Sequence, residues 1–356
     1  WKALYESKSG ERGIFNRDAA REQARKNGRR DPDHEFGTNP CSEIILRSRE
    51  FCNLTEMVIR EDDTHETLKQ KVKFATILGT WQSTLTNFKY LNKKWKENCE
   101  EERLLGVSMT GIMDNELTNG KTDGLKELLH NFKQVAIDTN AQWAKKLSIN
   151  PSVAITCVKP SGTVSQLVDS ASGIHARHSQ YYIRTVRADK KDPLAKMMKD
   201  VGFPCEDDVT KPNHTAVYSF PVQGPKNGVG VYRKDRTAVE QLELWKVYQD
   251  NWCEHKPSVT ISVKEDEWMN VGAWVYDNFE YMSGVSFLPF ADHTYRQAPY
   301  QDCSKAEYEK LVASMPKNVD WEAKLAEYED HDTTAGSQEL ACSGDTGCEL
   351  VDLVSV

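Results

Sequence analysis

The sequence predicts an α/β fold with largely parallel strands. Two observations carry the prediction. Short runs rich in β-branched and aromatic residues alternate with longer segments whose apolar residues recur at helical spacing. No repeat of 20–50 residues is visible.

In chain order, NLTEMVIR (53–60) reads as a strand. HETLKQKVKFATILGTWQ (65–82) reads as a helix, with Leu68, Val72, Ala75 and Leu78 on one face. RLLGVSMTGI (103–112) is the next strand. The segment 124–147 is a helix that places Leu125, Leu128, Leu129, Phe132 and Val135 together. SVAITCVK (152–159) and QYYIRTVR (180–187) read as strands. A third helix, at 240–252, aligns Leu242, Trp245 and Trp252, and SVTISVK (258–264) and GVSFLP (284–289) close the series. The stretch at about 191–237 is rich in Pro, Gly and Lys and reads as an excursion from the core. Residues 333–356 are small and polar up to the last cysteine and read as a mobile tail.

Composition narrows the function. At 356 residues, with 38% hydrophobic and 28% charged, the chain suits one large domain or two average ones. A net charge of −8 argues against a nucleic-acid polymer as partner, which demands a basic face. Small anions need only a local patch. No apolar run reaches the roughly 18 residues that span a bilayer. The opening WKALYESKSG has neither an initiator Met nor a secretory pattern, so the chain reads as processed, truncated or a fragment. Nine scattered cysteines, an odd count, fit a reducing cytoplasm better than a disulfide framework.

The chemistry centres on EFGTNPCSEIILRSREFCNL (35–54). Gly37 and Pro40 make a loop there. If NPCSE is extended, its period of two aligns Asn39, Cys41 and Glu43: amide, thiol and carboxylate facing one small volume. Nothing basic adjoins Cys41, and a neighbouring glutamate works against a thiolate. Hydrogen-atom transfer is another way for such a thiol to react. The same letters also serve a plain loop cysteine with a capping glutamate, and spacing alone does not separate the two.

SVAITCVKPSGTVSQL (152–167) is a strand, a tight turn and a helix start. Pro160, Ser161, Gly162, Thr163, Val164 and Ser165 offer backbone N–H groups and hydroxyls to an anion. A simple helix cap is the competing reading. Cys342 and Cys348 flank SGDTG, too few ligands for zinc but suited to a dithiol that exchanges with a disulfide. The basic spots RKNGRR (25–30) and HARHSQYYIRTVR (175–187) read either as anion attractors or as solvated surface. Cys253 and His255 do not make a metal site, and none is expected. Cys99, Cys157, Cys205 and Cys303 read as structural.

The run 13–60, with both Cys41 and Cys52, closely resembles the finger-loop region of ribonucleotide reductases. It is most similar to the monomeric, adenosylcobalamin-dependent (class II) ribonucleoside-triphosphate reductases. The resemblance continues through EERLLGVSMTGIMD (101–114), residues 158–187 and NWCEHKPSVTISVKEDEW (251–268). It implies the second half of a ten-stranded α/β barrel with a central finger loop, plus a flexible C-terminal tail. Residues 1–332 are then the C-terminal part of the barrel, the finger loop lies at about 37–46, and 333–356 form a redox tail.

It further implies that Cys41 is the thiyl-radical site that takes the 3′ hydrogen of a ribonucleoside triphosphate. Glu43 then accepts the 3′-hydroxyl proton and Asn39 holds the ribose hydroxyls. Cys52 is one of two electron-supplying cysteines, its partner lying upstream with no counterpart here. Residues 160–165 hold the substrate phosphates, and Cys342 and Cys348 re-reduce the site with a thioredoxin-like reductant. Adenosylcobalamin is the implied radical source.

The first half of such a barrel has no counterpart, so a fragment or one half of a split enzyme is expected, incomplete on its own. The rivals are a reductase with a diiron radical partner and an inactive nucleotide-binding half-reductase. A thiol oxidoreductase using only the tail pair leaves NPCSE unexplained.

Overall fold

The computed structural model describes residues 1–7, 10, 12–290 and 295–328. Cys342 and Cys348 lie outside these residues. Along the chain run α1 (Lys2–Ser7), β1 (Gly13–Ile14), α2 (Arg17–Asn27), β2 (Phe36–Thr38), β3 (Ile45–Arg47), β4 (Asn53–Val58), α3 (His65–Gln82), α4 (Lys93–Glu102), β5 (Leu105–Thr110) and α5 (Leu125–Leu147). Then come α6 (Gly162–Leu167), β6 (Tyr181–Asp189), α7 (Pro193–Asp200), β7 (Cys205–Asp207) and β8 (Thr215–Gln223). The series ends with α8 (Ala238–Asn251), β9 (Val259–Val263), α9 (Trp268–Asp277), β10 (Val285–Pro289), β11 (Tyr300–Asp302), α10 (Lys305–Ser314) and α11 (Trp321–Tyr328).

The chain divides into two units, the first made of Trp1–Arg177 and Pro225–Ala291. In it β4 pairs in parallel with β5, and β9 in parallel with β10. Between them, parallel bridges Val107–Thr156 and Val158–Pro257 continue the order, and β1 adds to β10 antiparallel. The 152–159 run therefore lies in strand position without a regular ladder. Its backbone is engaged by the next turn instead: Thr156 O accepts from both Glu254 N and His255 N, and Ile155 N donates to the Glu254 carboxylate.

Parallel neighbours need crossovers, and helices supply them. The Thr64 hydroxyl and the Thr67 side chain cap each other's backbone to start α3, and Thr237 with Glu240 does the same for α8. Helices α3, α5 and α8 bury Leu68, Val72, Leu129, Phe132, Leu242 and Trp245 in one core. Each of these large side chains is worth about 1.5–3 kcal/mol when removed from water. Leu78, expected on the buried face of α3, is 56% exposed. The helix meets the strands through Ala75, Thr76, Gly79 and Thr80 instead, and Leu105 packs where a side chain on Gly79 would lie. That turns Leu78 outward.

The second unit comprises His178–Gly224 and the described part of Asp292–Val356. Its sheet is antiparallel throughout, in the order β11-β6-β8-β7, with β6 and β8 in register from Tyr181–Gln223 to Asp189–Thr215. Ala195, Ala216 and Tyr218 centre a small core of its own.

No helix among the described residues is long and apolar enough to cross a membrane.

Candidate active site

The segment 36–47 is a β-hairpin. Phe36 faces Arg47 and Thr38 faces Ile45, leaving Asn39 to Ile44 as the tip. The tip is a turn rather than an extended strand. Ser42 N donates to Asn39 O at 2.9 Å, and Ser42 takes a left-handed φ of 64°. Period-two alignment of Asn39, Cys41 and Glu43 is lost. Cys41 is exposed, while the Glu43 side chain turns inward and is buried with its Oε2 lacking a hydrogen-bond partner. The Asn39 Oδ1 accepts from Ile44 N at 3.0 Å, which leaves its amide N–H₂ to face other groups. Desolvation, and then the Glu43 charge, raise the Cys41 pKa, while Lys159 opposes them. The sulfur is held as a thiol.

Three buried groups unread as site residues in the sequence pin this hairpin. The Arg30 guanidinium donates to Ile45 O at 2.8 Å and to Glu102 and Glu50, and its cation lies 4.6 Å from the Phe36 ring centre. His255 accepts from Ile45 N with Nδ1 and contacts Leu105 O with Nε2 at 3.0 Å, so its Nε2 carries the proton. Burial pushes its pKa down to about 3, and the ring is neutral. Lys256 N donates to Glu43 O at 3.1 Å.

The basic spots therefore divide. In RKNGRR, Arg25, Lys26 and Arg29 are exposed, Arg29 pairing with buried Glu254 at 2.6 Å, while Arg30 is buried and bonds Glu102. In HARHSQ, Arg177 forks onto Asp114 at 2.8 and 3.0 Å and also bonds Asp169. Asp114 in turn accepts from Ala171 N. This clamp fixes the chain just after α6.

Cys52 sits at the start of β4, half-buried, its sulfur 3.2 Å from where a side chain on Gly106 would begin. Desolvation raises its pKa well above the ordinary thiol range, with Glu43 and Glu50 adding to the shift. Cys99, Cys157 and Cys253 are buried, and all seven described cysteines are free.

In the 160–165 turn the left-handed residue is Ser161, with φ 54°, rather than Gly162. Ser161 is buried and its hydroxyl has no hydrogen-bond partner. Gly162, Thr163 and Val164 are exposed at the start of α6. The Ser165 hydroxyl is already spent on Gly162 O and the Ser172 hydroxyl. Beside the turn, Lys159 Nζ lies 3.6 Å from the buried Glu56 carboxylate, which faces Ser161 as well. Glu43 and Glu56 feel each other's charge, and Glu43 and Lys159 both act on Cys41, so the tip and the turn share one polar interior. Among the described residues no cluster of three His, Cys, Asp or Glu could hold a metal ion.

No protein-family model matches the sequence. The chain is 30% identical over 339 residues to an adenosylcobalamin-dependent ribonucleoside-triphosphate reductase of Euglena gracilis, covering 92% of this chain and 44% of that protein. Proteins of the same name from Lactobacillus gasseri and Lactobacillus leichmannii are 29% and 28% identical over 88% of this chain, and 45% and 46% of theirs. A crystal structure of a B-12 dependent (class II) ribonucleotide reductase superposes with a TM-score of 0.70 at 24% identity, over 83% of this chain and 44% of that one. The alpha subunit of an Actinobacillus ureae class Id ribonucleotide reductase shares the fold at a TM-score of 0.54 and 14% identity, over 82% of this chain and 61% of that one. Along most of its length this chain is similar in sequence to adenosylcobalamin-dependent ribonucleoside-triphosphate reductases and shares the fold of a class II ribonucleotide reductase, and it spans slightly less than half the length of those relatives.

Proposed function

We propose that the chain is the C-terminal catalytic part of an adenosylcobalamin-dependent ribonucleoside-triphosphate reductase, an oxidoreductase that makes deoxyribonucleotides by thiyl-radical chemistry in the cytoplasm. One observation carries the reading: an exposed, protonated thiol at the tip of a pinned hairpin, with a buried carboxylate two residues on. A thiol kept from ionising gives up a hydrogen atom, so Cys41 suits a radical source rather than a nucleophilic mechanism. Adenosylcobalamin, when bound, supplies the radical that removes that atom.

The residues then act in order. The Cys41 sulfur radical takes the 3′ hydrogen atom of the ribose, forming an S–H bond and leaving a carbon radical. Glu43 accepts the 3′-hydroxyl proton. Asn39, its oxygen already occupied by Ile44 N, donates its amide hydrogens to the ribose hydroxyls. The 2′-hydroxyl leaves as water. Cys52 and a second thiol from outside this chain supply two electrons and two protons and become a disulfide. Cys41 returns its hydrogen atom to the 3′ carbon, which restores its radical, and Glu43 returns its proton to the 3′ oxygen.

The exposed backbone of 162–164 takes the substrate phosphates, with Pro160 setting the turn and Ser161, buried beside Glu56, forming its left-handed corner. Ser165 holds the turn's shape through Ser172 rather than touching phosphate. On this reading 37–46 is the finger loop of a ten-stranded barrel whose second half lies within 1–332. Cys342 and Cys348 in the 333–356 tail return electrons from a thioredoxin-like partner.

The test is reduction of a ribonucleoside triphosphate by the chain, alone and mixed with the remaining portion of a relative, with adenosylcobalamin and a dithiol. Product formation that disappears in Cys41→Ala supports the assignment. Turnover by Cys41→Ala, or nucleotide binding with no turnover in any mixture, overturns it. Turnover that needs a second protein subunit and no cobalamin replaces the radical source but leaves Cys41 in its role.

A further inference from the structure

Lys256 is a buried cation that the reaction above leaves unused. Its side chain is fully buried. Its Nζ has no hydrogen-bond partner among the described residues and lies 4.5 Å from the Phe15 ring centre, a face that accepts a cation but neutralises no charge. A buried ammonium without an anion costs several kcal/mol, so a lysine in such a place calls for a carboxylate.

The carboxylate is at hand. Lys256 N donates to Glu43 O, which brings the two residues side by side; their side chains make no hydrogen bond or ion pair to each other here, and the Glu43 Oε2 is among the buried acceptors left unfilled. Gly284 defines the space between them. A side-chain carbon there would stand 2.8 Å from Lys256 Nζ and 2.8 Å from Ser42 Cβ, so amine and hairpin tip close over a bare backbone. Besides Glu43, the charge-bearing neighbour of the amine is the adjoining His255, held neutral by its two backbone contacts.

We infer that Lys256 is the charge partner of Glu43, a positioning residue that holds the carboxylate beneath the tip, where it can take a proton beside Cys41. The inference rests on the proposed role of Glu43, yet the pairing itself can be read without any turnover. Burial lowers the Lys256 pKa to about 7, and the Glu43 charge opposes that fall. The amine therefore titrates where Glu43 can be seen to act on it.

The experiment uses the full chain labelled with ¹³C at lysine Cε, followed by NMR across pH 5–10. The Lys256 signal is identified by its loss in Lys256→Arg. Its midpoint is expected far below those of the surface lysines, and Glu43→Gln is expected to lower it further. A midpoint among the surface lysines, or one unmoved by Glu43→Gln, overturns the pairing. In the reconstituted reductase, Lys256→Arg is expected to keep more turnover than Lys256→Met, with the loss in kcat rather than KM. Equal loss in both variants also overturns the role. If no mixture turns over at all, the reductase reading fails while the NMR result still decides the pair.

Discussion

Replacing Arg30 with methionine removes the cation that ties the hairpin to the strands behind it. The side chain is 1% exposed and bonds Glu102 at 2.7 Å and Glu50 at 3.2 Å, carboxylates whose own side chains are 4% and 0% exposed. Arg47 is the other cation of the network, 3.3 Å from Glu50 and 3.5 Å from Glu102. Without Arg30 a single cation is left to the buried acids Glu102 and Glu50, and Ile45 O loses a donor. Breaking a buried pair from one side costs about 3–5 kcal/mol, because the charge left behind cannot reach water. Against a domain stability of about 5–15 kcal/mol, that is a third of the total or more. Urea unfolding followed by tryptophan fluorescence should show the midpoint falling with little change in slope. Pairing Arg30→Met with Glu102→Leu removes a stranded carboxylate and should recover part of the loss. A single-variant cost below about 1 kcal/mol, the range of exposed ion pairs, would refute the claim that this network is dry.

Three further outcomes follow from the same geometry. Gly284→Ala should destabilise the chain by about 1–3 kcal/mol in urea, since φ is 146° and the new carbon meets Ser42 and Lys256; retention of full stability would show that the tip can move aside. Asp114→Ala should cost about 1–3 kcal/mol by leaving Ala171 N unpaired and removing one of the carboxylates of Arg177, which keeps Asp169, and proteolysis should report loosening near 169–171. The third concerns pH. Burial, with the neighbouring Glu102, raises the Glu50 pKa from 4.5 to about 8. The folded state therefore keeps a proton that the unfolded state releases. This group's stabilisation is complete below about 4.5 and is lost as pH rises through about 8. Subtracting the pH–stability curve of Glu50→Gln from that of the parent should isolate that falling limb, and parallel curves between pH 5 and 8 would contradict it.

Much of the fold was legible because helices and strands announce themselves locally. The α5 stripe of Leu125, Leu128, Leu129 and Phe132 and the runs that became β4, β5, β9 and β10 are patterns within one short window. Leu78 misled because a helix packing through Ala75, Thr76 and Gly79 has its contact face written in small residues, which hydrophobic spacing does not weigh. The antiparallel sheet of the second unit was hidden for a different reason. Its partners β6 and β11 are far apart in sequence, and no turn signal joins them.

The candidate site divides along the same line, and the division says something about how such a site is built. Cys41, Glu43 and Asn39 occupy one loop, so their adjacency is visible as text. What makes Glu43 buried and Cys41 exposed is not. The tip is a turn with Ser42 in a left-handed conformation, and it is held by Arg30, His255 and Lys256, of which two sit more than two hundred residues downstream. Alone in the sequence, each of these three is an ordinary basic residue. Each becomes informative only through what it meets: a carbonyl for Arg30, a backbone N–H for His255, an unfilled carboxylate beside Lys256. The reacting atoms are thus local in sequence while their electrostatics are long-range. A segment that keeps only the loop retains the thiol and the acid, but neither the surroundings that desolvate the thiol nor the buried amine beside the acid.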